Sequence, residues 1–210
     1  GDNLGARALW GKSTMYEESA GVPLIAAGPG IAPGRRIRTP VSHVDFHPSI
    51  LQAVGAAGAS RTATGEAASG ALDALPGRSI FDIADAPYDP DRAVFSEYHA
   101  AGSVSASYMV RRGRYKYIHY TGFQPELFDL EADPDEVSDR AADPAMAGIL
   151  DQLRATLLAI CDPEATDQAA KRDQQRLIEA HGGEAAIRSR GGSSYTPIPG
   201  EDVRLIAGSA

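Results

Sequence analysis

Few side chains in this 210-residue chain join reactive chemistry to an informative spacing. Lys12 stands between Gly11 and Ser13, in a glycine-punctuated run that includes Gly1-Asp2-Asn3-Leu4-Gly5 and Leu9-Trp10-Gly11-Lys12-Ser13. Taken without its wider context it reads as an exposed loop lysine, and an ammonium held on such a loop is also a group that can stabilise an anion. His99 closes the segment Glu97-Tyr98-His99, where an imidazole can contact a substrate or serve as a hydrogen-bonding structural group; the residues leave both readings open. Cys161 is the single cysteine and lies in Cys161-Asp162-Pro163-Glu164-Ala165, a stretch expected to be a half-buried turn between two helices.

Three further groups invite a metal or nucleic-acid reading, and each has a simpler account. His43, Asp45 and His47 alternate like ligands on a strand. Ser42-x-x-Asp45 ahead of an apolar helical stripe is, however, a helix-start signature, and capping is the preferred role. Asp129-x-Glu131-x-Asp133 resembles a calcium loop but has Pro134 where glycine belongs and Arg140 where the closing glutamate belongs. A solvated turn is expected there. Arg111, Arg112, Arg114 and Lys116 interleave with Tyr115 and Tyr117 at strand spacing, which predicts a charged, solvent-facing side of a strand.

The elements that must position these groups follow from the apolar spacing. Val22-Pro23-Leu24-Ile25-Ala26-Ala27, closed by Gly28-Pro29-Gly30, predicts a short strand buried on both faces of a mainly parallel sheet. Val41 to Val54 predicts a helix ending at Gly55, with Pro48 in its first turn. From Gly55 to Pro76 the composition falls to alanine, glycine, serine and threonine, as in a surface loop. Strands are predicted at 93–99, 105–111, 115–120 and 126–130, with Arg112-Gly113-Arg114 as a hairpin turn, giving a small antiparallel sheet. Asp143-Pro144 and Asp162-Pro163 each start a helix; the first carries Met146, Ile149, Leu150, Leu153, Leu157 and Ile160 as a stripe, and the second ends at Gly182-Gly183. The last 25 or so residues predict an extended tail.

Composition narrows the classes. Apolar residues at 43% and charged residues at 23% are ordinary globular usage. A net charge of −8 argues against broad binding to nucleic acid and against an anionic membrane surface. One cysteine excludes an internal disulfide framework and a multi-cysteine metal knuckle. No apolar run approaches the roughly 20 residues that span a bilayer. The acidic balance and lone cysteine lean towards a cytoplasmic setting, with any N-terminal targeting not observable.

The ordered blocks Gly1–Gly5, Leu9–Glu18, Val22–Ile25, Gly28–Ile31, Thr39–Asp45, Pro48–Leu51, Arg112–Tyr117 and Glu126–Pro134 together resemble the sulfatase family, formylglycine-dependent hydrolases of the alkaline-phosphatase superfamily. The resemblance covers most of residues 1 to 145. It implies an α/β fold: the C-terminal part of an alkaline-phosphatase-like fold at the edge of the large mixed sheet, plus a small antiparallel sheet and C-terminal helices. The expected divisions are 1–76 for the end of the α/β domain, 77–142 for the small sheet and 143–210 for a helical extension and tail.

The same resemblance implies Lys12 as an active-site lysine stabilising sulfate and its leaving group, and His99 as a contact in the substrate cleft. Arg7 falls where many members carry histidine, and no role is assigned to it. In such enzymes a cysteine within Cys-x-Pro-x-Arg becomes formylglycine, and acidic residues with an Asp-His or Asp-Asn pair hold a divalent metal, calcium, manganese or magnesium. Cys161 has Ala165 where that motif needs arginine. This chain is therefore expected to hold neither cofactor, to be inactive alone, and to belong to an enzyme that hydrolyses a small sulfate ester, or a phosphate or phosphonate ester. The expected partners are a second copy or a missing N-terminal half, with no nucleic acid and no membrane. A non-catalytic module for oligomerisation or for completing a split hydrolase is the alternative.

Overall fold

The computed structural model describes residues 1–55, 76–100 and 103–190, together with the backbone of 192–193 and 205–206. Residues 56–75 of the loop expected from Gly55 to Pro76, and most of the expected tail, lie outside those residues. Gly1–Asp162 form one compact unit and the chain from Pro163 forms a second.

The first unit is organised around an antiparallel sheet in the order β1 (Ala93–Tyr98), β2 (Ser107–Arg112), β3 (Tyr115–Tyr120) and β4 (Glu126–Asp129). Arg112 pairs with Tyr115, so the β2–β3 turn is the two-residue Gly113-Arg114. Gly113 there takes φ 58°, the left-handed region that a tight hairpin demands and glycine permits. Alternation along the strands splits their side chains between two faces. Tyr108, Val110, Tyr117 and Leu127 face one way and pack with Leu153 and Leu157 of α4 (Ala147–Ile160). Met109, Ile118 and Phe128 face the other way and are covered by Met15, with Tyr16 and, from the short α1 (Glu17–Ala20), Ala20 beside them. Both faces are thus buried, which is why β2 reads Tyr108-Met109-Val110 without a polar interruption.

Several sequence expectations hold. Asp143 caps the helical segment by accepting from the Ala145 N–H at 2.8 Å, with Pro144 behind it. A helical turn (His43–Asp45) leads into α2 (Phe46–Ala53), with Pro48 in its first turn. The second unit carries α5 (Pro163–Ala180), followed by Gly182 at φ 91° as the expected stop.

Others need correction. Val22–Ala27 forms no strand: the segment is irregular and exposed, with Ile25 90% exposed. Among the described residues no strand lies beside it to supply a ladder, and an apolar run without partners cannot become a buried strand. α3 (Ile80–Asp85) was not anticipated, although Ser79-x-x-Asp82 carries the start signal and Ser79 accepts from the Phe81 N–H at 3.3 Å. The chain also resumes helix beyond Gly182 as α6 (Gly183–Arg190), with Glu184 in its first turn and Arg188 and Arg190 in its last, the polarity that suits the helix dipole. Residues 186–190, expected as part of the tail, are therefore helical.

Candidate functional site

The residues around Lys12 build a loop closed at both ends. Asn3 is buried and holds the Gly11 carbonyl twice, through its backbone N–H at 2.8 Å and its side-chain Nδ2 at 2.6 Å. Asn3 Nδ2 also donates to Ser19 Oγ at 3.2 Å, and Thr14 Oγ1 donates to the same oxygen at 2.9 Å. The turn inside the loop is tight: Leu4, Arg7 and Ala8 take φ of 48°, 55° and 58°. Left-handed backbone at non-glycine residues costs free energy that the surrounding contacts must offset.

Lys12 sits at the tip, exposed, and makes no hydrogen bond or ion pair with the described residues. Trp10 beside it is 77% exposed. The next residue ties the loop to the sheet: Ser13 Oγ and Tyr98 Oη share a hydrogen bond of 3.0 Å. Tyr98 ends β1, and His99 follows it. Two segments far apart in sequence, each named for its chemistry, thereby meet at one end of the sheet. His99 Nε2 lies 3.2 Å from Glu97 Oε2, and its ring stands edge-on to Tyr108 with centroids 5.4 Å apart. The edge-on contact with the Tyr108 ring fixes the plane of the imidazole.

Below the tip lies a buried ionic cluster that sequence spacing alone had assigned to solvent. Lys116 of β3 is fully buried, against the expectation of a solvent-facing strand side. Its ammonium lies 2.6 Å from Glu17 Oε1 and 2.8 Å from Glu136 Oε1, and it donates to the Met15 carbonyl at 3.0 Å. Arg111, its cross-strand neighbour, reaches Glu17 Oε2 at 3.5 Å. Two cations directly opposite each other on one sheet face repel, and the two carboxylates neutralise them. Glu136 is also fully buried and accepts the Glu17 N–H at 2.6 Å. Arg7, to which no role had been given, donates to the Glu136 carbonyl at 2.9 Å, and its guanidinium lies 4.0 Å above the Tyr16 ring. The acidic stretch 129–136 is consequently only partly a solvated turn: Asp129 and Glu136 are buried and paired.

The remaining candidates settle into structural roles. Asp45 is fully buried and accepts from the Ser42 and Arg78 backbone N–H groups at 2.8 Å each, while Arg92 reaches it at 2.6 Å; the Ser42–Asp45 capping box is present. Cys161 follows α4 as a free, half-buried thiol, and burial, then the Glu97 and Asp162 carboxylates, push its pKa up. A thiol held protonated is a poor nucleophile. Among the described residues no group of three or more His, Cys, Asp or Glu side chains stands at metal-holding spacing. The donors present therefore do not fit a resident divalent metal, nor does the setting of Cys161 fit a formylglycine, and no chemical step of this chain is derived through either.

Residues 5–162 match the family described as N-sulphoglucosamine sulphohydrolase, C-terminal. The chain is similar to the choline-sulfatase of Rhizobium meliloti (strain 1021), 37% identical over 186 residues that cover 84% of this chain and 33% of the relative. It is similar to the arylsulfatase K of Mus musculus, 34% identical over 145 residues, covering 67% of this chain and 25% of the relative. Among solved structures it resembles the phosphonate monoester hydrolase SpPMH from Silicibacter pomeroyi with a TM-score of 0.58 and 29% identity, over 76% of this chain and 32% of that one. The chain thus spans a quarter to a third of the length of these relatives.

Proposed function

The chain belongs to the sulfatase family as a counterpart of its C-terminal region, and from that premise we propose that it supplies the anion-stabilising Lys12 to an enzyme hydrolysing a sulfate ester or a phosphonate monoester. The observation that carries this reading is the Lys12 loop itself. Its backbone is held by Asn3 at Gly11 and its Ser13 hydroxyl is tied to that of Tyr98, while its ammonium stays unpaired among the described residues. A pinned backbone with an uncommitted charge is what a group must offer if it is to meet an incoming anion without reorganising. His99 follows Tyr98 at the same sheet end, and this proximity supports the proposal that it contacts the ester's polar groups. When present in the whole enzyme, formylglycine would supply the nucleophile and the metal would polarise the ester; neither is built from this chain's described donors.

Purified chain given an aryl sulfate with calcium, manganese or magnesium is expected to show no metal-dependent turnover. Turnover well above background removes the claim that the reactive centre lies elsewhere. In an active enzyme that contains these residues, Lys12→Met is expected to lower kcat/KM by about 10²–10³-fold, as loss of one preorganised stabilising group does. An unchanged value removes Lys12 from the site.

A second reading is favoured by a specific feature. Leu4, Trp10, Val22, Leu24 and Ile25 are all exposed in the N-terminal third. Such side chains suit a module that completes a larger hydrolase by docking against a polypeptide carrying the nucleophile. Restoration of aryl-sulfate turnover on mixing the two polypeptides distinguishes this role from an inert one.

A further inference from the structure

We propose that the buried pair Lys116–Glu136 is a positioning device for Lys12, fixing the loop on its C-terminal side as Asn3 fixes it on the other. The inference rests on the reading of Lys12 as an anion-binding group. Lys116 and Glu136 come from β3 and from the turn after β4, and neither touches the Lys12 tip through any bond described above. Both instead hold backbone. Lys116 Nζ donates to the Met15 carbonyl at 3.0 Å, and Glu136 Oε2 accepts the Glu17 N–H at 2.6 Å. Those atoms stand three and five residues beyond Lys12, Met15 in the segment that returns from the loop and Glu17 at the first position of the short helix Glu17–Ala20.

The arrangement is costly for a purely structural one. Two fully buried charges must give up their hydration, and an apolar pair of similar size fills such a space without loss of stability. Met15 already packs there against Met109, Ile118 and Phe128, so apolar surroundings for such a replacement exist. What an apolar pair cannot do is grip a carbonyl and an N–H at fixed points. The ion pair presents a donor and an acceptor that together set the height and direction of the returning loop, and thereby where the Lys12 backbone rises above the sheet.

Lys116→Met alone leaves the Glu136 carboxylate with only Arg7, at 3.8 Å, as a cationic partner, so the informative variant is Lys116→Met/Glu136→Met, in which Glu17 keeps Arg111 as a partner. Two measurements on the folded chain read the outcome: amide hydrogen exchange, and titration with inorganic sulfate followed by the amide shifts of Gly11, Lys12 and Ser13. In the double variant the Glu17 amide, which loses its acceptor, is expected to exchange about tenfold or more faster while Val110, Tyr117 and Ile118 keep their protection. Sulfate affinity at Lys12 is expected to weaken by about tenfold. Wild-type protection at Glu17, or a loosened loop with sulfate affinity unchanged, overturns the inference. Lys12→Met supplies the separate control. If it binds sulfate as the wild type does, or if the wild type shows no sulfate response, the reading of Lys12 fails and the positioning role falls with it. If Lys12→Met abolishes the response and the double variant does not alter it, only the positioning role fails.

Discussion

Asp129 shows how individual carboxylates set the acid limit of this fold. Burial alone favours its protonated form, but the Arg114 guanidinium and the Ala132 and Glu131 N–H groups outweigh that and hold its carboxyl below the usual range. Asp143 is held down chiefly by Arg140, then by the Ala145 N–H. A lowered native pKa means the unfolded chain takes up protons first, so this stability is present above the unfolded value, about 3.9, and is lost as pH falls through the folded values. On the alkaline side Tyr16 is pushed up to about 12, first by burial and then by its hydrogen bond to Glu126 at 2.9 Å. Tyr120 moves upward for the same two causes. A raised tyrosine contributes stability fully below its unfolded value of 10.0 and loses it as pH climbs towards 12. The urea midpoint is expected to fall below about pH 4 and above about pH 10. Asp129→Asn is expected to flatten the acid limb and Tyr16→Phe the alkaline one; limbs as steep as in the wild type count against these assignments.

Among the elements, the strands were the most legible because their alternation is local and the turn Gly113-Arg114 is chemically marked. The helices at 147–160 and 163–180 were legible for the same reason, each opening on an Asp-Pro signal. α3 escaped because its six residues are too few to show a period, though Ser79 advertised its cap. Two glycines give opposite expectations at this scale. A Cβ on Gly77 would lie 2.1 Å from the Val44 carbonyl oxygen and 2.4 Å from its carbon, backbone that cannot yield. Gly77→Ala is expected to cost ~1–3 kcal/mol as overpacking. Gly148 in α4 has open space around it, and Gly148→Ala is expected to add ~0.5–1 kcal/mol by raising helix propensity. Thermal unfolding of both variants checks this, the two melting temperatures moving in opposite directions.

For the whole molecule, the distribution of apolar surface matters more than its amount. The sheet is covered on both faces, by α4 and by the Met15 segment. Residues 21–30, by contrast, are exposed throughout. Exposed apolar chain that joins no strand ladder seeks a partner. The isolated chain is expected to elute from size-exclusion chromatography at a size that grows with concentration, and Ile25→Lys is expected to shift it towards the monomer. A concentration-independent monomer for the unaltered chain counts against a docking role for this segment.

The sequence by itself determined the small antiparallel sheet, its hairpin, the helix starts and the ordered blocks that carry the family resemblance, because turn chemistry, capping and period are properties of neighbouring residues. It also marked Lys12 and His99 as groups with chemistry to offer. Only the tertiary structure decided that Lys116 and Glu136 are buried, that Arg7 braces the Glu136 turn, and that Ser13 and Tyr98 bring the Lys12 loop to the strand end before His99. A charged residue on a strand looks solvent-facing until it is known what covers that face. Here the cover is a segment about a hundred residues away, Met15 being 101 positions from Lys116. No local rule relates such positions; burial and ion pairing are decided by what the folded chain brings together.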